Sequence, residues 1–138
     1  MEVTGSCHCG AIKFKATVSE DAIVCHCEDC QVLSGSAFRI NLKAEAESFI
    51  MSSGELKLYK KVAESGDIRV QAFCPACATP IYSSIDQNPK YIFIRIGSIK
   101  ERSKVRPAIQ IWKDSALCNF AKLENIRGSS GQQALKVK

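Results

Sequence analysis

The sequence predicts a mainly β, single-domain protein, and three observations predict it. Apolar and polar residues alternate with a period of two in short runs. Turn-forming residues separate those runs at regular intervals. Seven of the eight cysteines fall into three tight clusters.

The strongest alternation sets Ile12, Phe14, Ala16 and Val18 against Lys13, Lys15 and Thr17, as a half-buried strand requires. Comparable runs follow at Ala37–Leu42, Ser48–Ser52, Leu56–Val62, Ile68–Phe73, Pro80–Ile85, Tyr91–Ile96 and Ala108–Trp112. Ser34-Gly35-Ser36, Ser53-Gly54, Ser65-Gly66-Asp67 and Gln87-Asn88-Pro89 supply turns between them. Asp29–Ser34, just before Gly35, reads as a single helical turn. Gly128-Ser129-Ser130-Gly131 reads as a linker. The domain is therefore placed at 1–127, with 128–138 as linker and a loose or weakly helical tail.

Composition narrows the function classes. The chain is 46% hydrophobic and 24% charged, as expected of a globular protein and too apolar for intrinsic disorder. No apolar run exceeds four residues, so a membrane protein is not expected. The N-terminus lacks a basic and apolar leader, so a secretory signal is not expected either. Aromatic residues are only 7%, which argues against a base-stacking binder of single-stranded nucleic acid. The net charge of +5 is uneven: residues 1–89 carry eight Lys and Arg against eleven Asp and Glu, residues 90–138 eleven against three. The basic residues of that second half are dispersed, as on a solvated surface, and name no partner. Eight cysteines without an export signal suggest a reducing compartment, the cytoplasm, where clustered thiols more often bind metal than pair.

The clusters are Cys7-His8-Cys9, Cys25-His26-Cys27-Glu28-Asp29-Cys30 and Cys74-Pro75-Ala76-Cys77. A Cys-x-x-Cys turn points two sulfurs at one ion, and Cys-x-Cys does so where the backbone kinks, as Gly10 permits. The simplest partition joins Cys7 and Cys9 to Cys74 and Cys77 in a four-thiolate structural zinc site. Redox or merely buried thiols are the alternative, and a thioredoxin-like pair at Cys74 and Cys77 lacks the surrounding βαβ pattern. Cys25, Cys27 and Cys30 remain as three ligands of a second zinc, the arrangement of an open, catalytic site. Cys118, His8 or His26 could close it, although Cys118 reads first as an inert buried thiol and only next as that ligand.

These motifs, with Gly5-Ser6 before the first, Ser34-Gly35 after the second and Phe73 before the third, resemble the glutathione-dependent formaldehyde-activating enzyme family, which also includes centromere protein V. The resemblance covers about residues 3–113. It implies coiled β-sheets around zinc, similar to methionine sulfoxide reductase B and a zinc-containing Rab exchange factor. It further implies structural zinc at Cys7, Cys9, Cys74 and Cys77, and a catalytic, labile zinc at Cys25, Cys27 and Cys30. Ala78 replaces the glycine that usually follows the last Cys-x-x-Cys, a change expected to be mild if φ there is negative. Gln110 and Cys118 stand where the family tends to have a His and later a Trp.

The activity so implied is a carbon–sulfur lyase-type addition of glutathione to formaldehyde, giving S-hydroxymethylglutathione, or a related thiol–aldehyde reaction. Zinc coordination ionises a thiol that is otherwise mostly protonated at neutral pH. Three thiolates leave the metal unit formally negative and a poor Lewis acid, so its expected work is to recruit and orient glutathione. Arg39, Lys43 or the basic second half could receive the glutathione carboxylates. A different class, a non-catalytic zinc-stabilised module binding glutathione, protein or nucleic acid, accounts equally for the four-cysteine site. A methionine sulfoxide reductase fits poorly, since Ala116 stands where an Arg precedes the Cys of such enzymes.

Overall fold

In a computed structural model the described residues form ten strands and one α-helix. The strands are β1 (Glu2–Ser6), β2 (Lys13–Thr17), β3 (Asp21–Cys25), β4 (Arg39–Glu45) and β5 (Ile50–Ser53), followed by β6 (Lys57–Val62), β7 (Ile68–Phe73), β8 (Pro80–Ile85), β9 (Tyr91–Arg95) and β10 (Arg106–Ile111). The helix, α1, is Glu28–Ser34. The structure describes residues 1–63, 65–120, 123–124, 126 and 128–131. The tail expected at 132–138 lies outside them.

The strands build two sheets, a small one ordered β1-β2-β5 and a large one ordered β10-β3-β4-β9-β8-β7-β6. All pairs are antiparallel except β10 with β3, which is parallel. The predicted alternation in β2 places Phe14 and Ala16 inward and leaves Lys13, Lys15 and Thr17 exposed. Phe14, Val3 and Ile12 join Leu42, Ala44, Ile81, Ile92 and Ile94 in one apolar core. Burying a side chain of the size of Leu42, fully inaccessible here, contributes about 1.5–3 kcal/mol. Isolated backbone bridges pair Val18, just after β2, with Ala44 of β4, and Gly5 of β1 with Ile99, which follows β9. Gly5 is required at its place, because a Cβ there would stand 2.1 Å from the Phe14 ring.

The expected turns hold their places. Gly35 ends α1 at φ 62°, Gly54 and Gly66 turn at 80° and 87°, and Asn88 at 44°. Strands β7 and β8 coincide with the predicted runs, whereas β1 and β3 are strands that the alternation does not predict. Among the described residues, no helix is long and apolar enough to cross a membrane.

Candidate metal centres

The β1–β2 loop carries the first cysteine pair. Cys7 N–H donates to Ile12 O at 3.1 Å, Gly10 N–H to Cys7 O at 3.1 Å, and Ile12 N–H to Cys7 Sγ at 3.2 Å. Gly10 at φ 82° supplies the kink that turns Cys9 back toward Cys7. The β7–β8 loop carries the second pair, closed by Ala78 N–H to Cys74 O at 2.9 Å and Cys74 N–H to Thr79 O at 3.0 Å.

The structure brings Cys7, Cys9, Cys74 and Cys77 together, with all four sulfurs within 4.8 Å of one another. Cys7 and Cys9 stand 3.5 Å apart, and Cys9 and Cys74 3.8 Å. Sulfurs tetrahedrally disposed about 2.3 Å from one zinc ion are separated by about 3.8 Å, so the set fits that ion. Thr79 Oγ1, which accepts from His8 N–H at 3.0 Å, lies 3.1 Å from Cys77 Sγ. That hydroxyl holds the Cys77 thiol down to about 5, favouring the ionised form that a metal takes. His8 does not join the cluster.

Ala78 departs from its expectation. Its φ is +59°, in the left-handed region where Cβ crowds the next carbonyl at a cost of about 1–2 kcal/mol. The replacement of glycine is therefore a strained one. Ala78→Gly is expected to raise stability by about 1 kcal/mol, after the greater freedom of glycine when unfolded. The check is the urea midpoint of the metal-loaded protein, and an unmoved or lowered midpoint would refute the strain.

The second cluster forms where β3 runs into α1. Cys25 is the last residue of β3, Cys27 caps α1, accepting Cys30 N–H on its sulfur at 3.4 Å, and Cys30 lies in the first helical turn. Cys25 and Cys27 sulfurs are 3.4 Å apart, and all three lie within 4.8 Å. Cys25 is buried, while Cys27 and Cys30 are half-buried. Cys30 shares its proton with Cys25, which holds the Cys25 thiol down to about 6 and pushes that of Cys30 up. Three converging thiols, one of them held toward its ionised form, are a donor set suited to a soft cation.

Among the described residues, no His, Cys, Asp or Glu completes this set as a fourth ligand. His26 is buried, but its Nε2 lies 3.0 Å from Gln110 Oε1 on β10 and takes no part. Cys118 is exposed and stands outside both clusters, its thiol donating to Ala116 O at 3.5 Å. Gln31 fixes α1 by donating to His26 O at 2.7 Å and Ser115 O at 2.9 Å, and Asp29 pairs with Lys61 of β6. A groove of about 610 Å³ runs along α1, lined by Gln31, Val32, Phe38, Leu117 and Phe120 among others.

Of the cations expected near the site, Arg39 stands opposite Cys25 across the β3–β4 pair. Lys43, further along β4, instead covers the Tyr91 ring at 3.7 Å. Arg95, which the sequence pattern does not single out, joins Arg39 on the same sheet.

The family model described as glutathione-dependent formaldehyde-activating enzyme matches residues 2–115. A crystal structure of a Rhodobacter sphaeroides protein is similar with a TM-score of 0.60 at 20% identity, over 80% of this chain and 99% of that one. That likeness concerns the fold alone. No curated protein matches the chain.

Proposed function

Because the chain belongs to the glutathione-dependent formaldehyde-activating enzyme family, we propose that it is a zinc-dependent carbon–sulfur lyase-type enzyme. It adds the glutathione thiol to formaldehyde, giving S-hydroxymethylglutathione, or joins a related thiol and aldehyde. The observation that carries this reading is the three-sulfur set of Cys25, Cys27 and Cys30, which leaves one tetrahedral position for a ligand from outside. Cys7, Cys9, Cys74 and Cys77 form the closed, structural counterpart.

A zinc ion held by the three sulfurs supplies thiol ionisation, since a free thiol near pKa ~8.5 is mostly protonated at neutral pH. The chain supplies the positioning. Cys25 is fixed by β3, and Cys27 and Cys30 by α1, which Gln31 ties to the backbone of His26 and Ser115. The half-exposure of Cys27 and Cys30 leaves an approach from solvent. Holding the thiol beside the aldehyde turns a bimolecular encounter into an oriented one. The thiol gives its proton to water as it ionises; its sulfur lone pair then forms the C–S bond, the carbonyl π pair moves to oxygen, and that oxygen takes a proton back from water. Clustered cysteines of metal-ligand spacing suit a reducing compartment, and we place the protein in the cytoplasm.

The test is a glutathione titration of the cobalt-substituted protein. The visible bands of one of the two metals are expected to shift and saturate. Two bound metals with unmoved bands would instead leave a zinc-stabilised binding module.

A further inference from the structure

Strand register places a second group of side chains beside the three-cysteine set. Cys25 stands opposite Arg39, and Asn41, two residues on, stands opposite Arg95, so all four lie on one face of the large sheet. Gln71 of β7 completes the group. Its Oε1 accepts from Arg39 Nη1 at 3.3 Å and from Arg95 Nη2 at 2.7 Å, and Arg95 Nη1 also donates to Asn41 Oδ1.

The two arginines are only 5% and 6% exposed, and Nε of Arg95 is buried without a partner. Among the described residues, neither guanidinium has a carboxylate within 4.0 Å. Two buried like charges side by side are costly unless an opposite charge offsets them. Burial does pull Arg95 down to about 9, which still leaves it charged at neutral pH. The three-cysteine set is placed to offset them: Arg39 stands directly opposite Cys25, Arg95 follows on the same face, and the sulfurs are anionic when they hold a metal ion.

The charges then sum in an informative way. Three ionised sulfurs and one divalent ion carry a net of minus one, and two guanidinium groups turn that into plus one. One further anion brings the whole site to neutrality. We propose that Arg39 and Arg95 are positioning residues that make the fourth position of the Cys25–Cys27–Cys30 site select an anionic sulfur over a neutral water. This deepens the reading of that cluster as an open metal site and rests on it. It also supplies the positive potential that three thiolates alone would deny to an incoming thiolate.

The experiment compares alkylation by anionic iodoacetate and neutral iodoacetamide, cysteine by cysteine, in the purified full-length protein. Both reagents react by the same step, in which sulfur displaces iodide from the methylene carbon. The extent of thiol ionisation therefore cancels in the ratio of their rates, and what remains is the local potential. Cys118, exposed and outside both clusters, is the internal reference. The ratio at Cys25, Cys27 and Cys30 is expected to exceed that at Cys118 by about tenfold. Arg39→Met and Arg95→Met should each lower it severalfold, while Arg95→Lys, which keeps the charge, should preserve it.

A ratio at the cluster equal to or below that of Cys118 overturns the proposal, and this wild-type comparison decides even if a variant fails to fold. A raised ratio that neither methionine variant lowers overturns it as well. The measurement uses no glutathione, so its failure is distinct from unmoved cobalt bands, which would count against the open site itself.

Discussion

Cys74→Ser is expected to leave a chain that does not reach the folded state. Cys74 is fully buried in the apolar core, and its sulfur lies 3.8 Å from that of Cys9 across the two sheets. The four-sulfur site joins the β1–β2 loop of the small sheet to the β7–β8 loop of the large one. A structural zinc contributes about 10–16 kcal/mol to folding. Whole domains are stable by only about 5–15 kcal/mol, so losing the ion consumes most or all of the margin. The variant should be insoluble, or soluble without a cooperative thermal transition, whereas Cys118→Ser should melt like the parent protein. A Cys74→Ser protein that melts cooperatively with one metal fewer would remove the structural role from this site.

Cys27→Ser is expected to do the opposite: keep the fold and lose the chemistry. Cys27 caps α1 by accepting Cys30 N–H on its side chain, and serine is among the best residues for that task. The helix is thus preserved while the three-sulfur set drops to two. Metal analysis should find one ion in place of two, and the transition temperature should stay within a few degrees of the parent. The cobalt bands should no longer respond to glutathione, and thiol–aldehyde addition should fall by about a hundredfold or more, the scale on which removing a positioned catalytic group acts. Global unfolding of this variant would show that the second cluster holds the fold rather than the substrate.

The two variants separate what the sequence makes legible from what it conceals. Cysteine spacing announces both clusters, because a turn of two or three residues already aims a pair of sulfurs at one point. Strands β7 and β8 are read residue for residue, since each is half-buried and flanked by turn residues. Strand β3 escapes because Ala22, Val24 and Cys25 are buried while Ile23 is largely covered too, which erases the alternation. Strand β1 escapes because its inward residues are Val3 and Gly5, too little apolar volume to stand out. Arg95 is hidden for a subtler reason. An arginine at the end of Tyr91–Arg95 reads as a solvent-facing residue, and only the pairing with Asn41 turns it into a buried charge. The strain at Ala78 is likewise invisible without its dihedral angle.

The four-sulfur clasp also sets an order of events in time. Cys9 and Cys74 are 65 residues apart along the chain, so closing that loop costs roughly 4 kcal/mol of chain entropy before any contact is made. At a synthesis rate of about 5–20 residues per second, the N-terminal hairpin emerges several seconds before its partners exist. During that interval Phe14 and Ile12 have no large sheet to cover them, and the first two thiols wait unliganded. Until Cys74 and Cys77 have been made no zinc can close the clasp, so Cys7 and Cys9 stay open to oxidation over that interval whatever the supply of metal, and a shortage of zinc acts only once the second pair has joined the first.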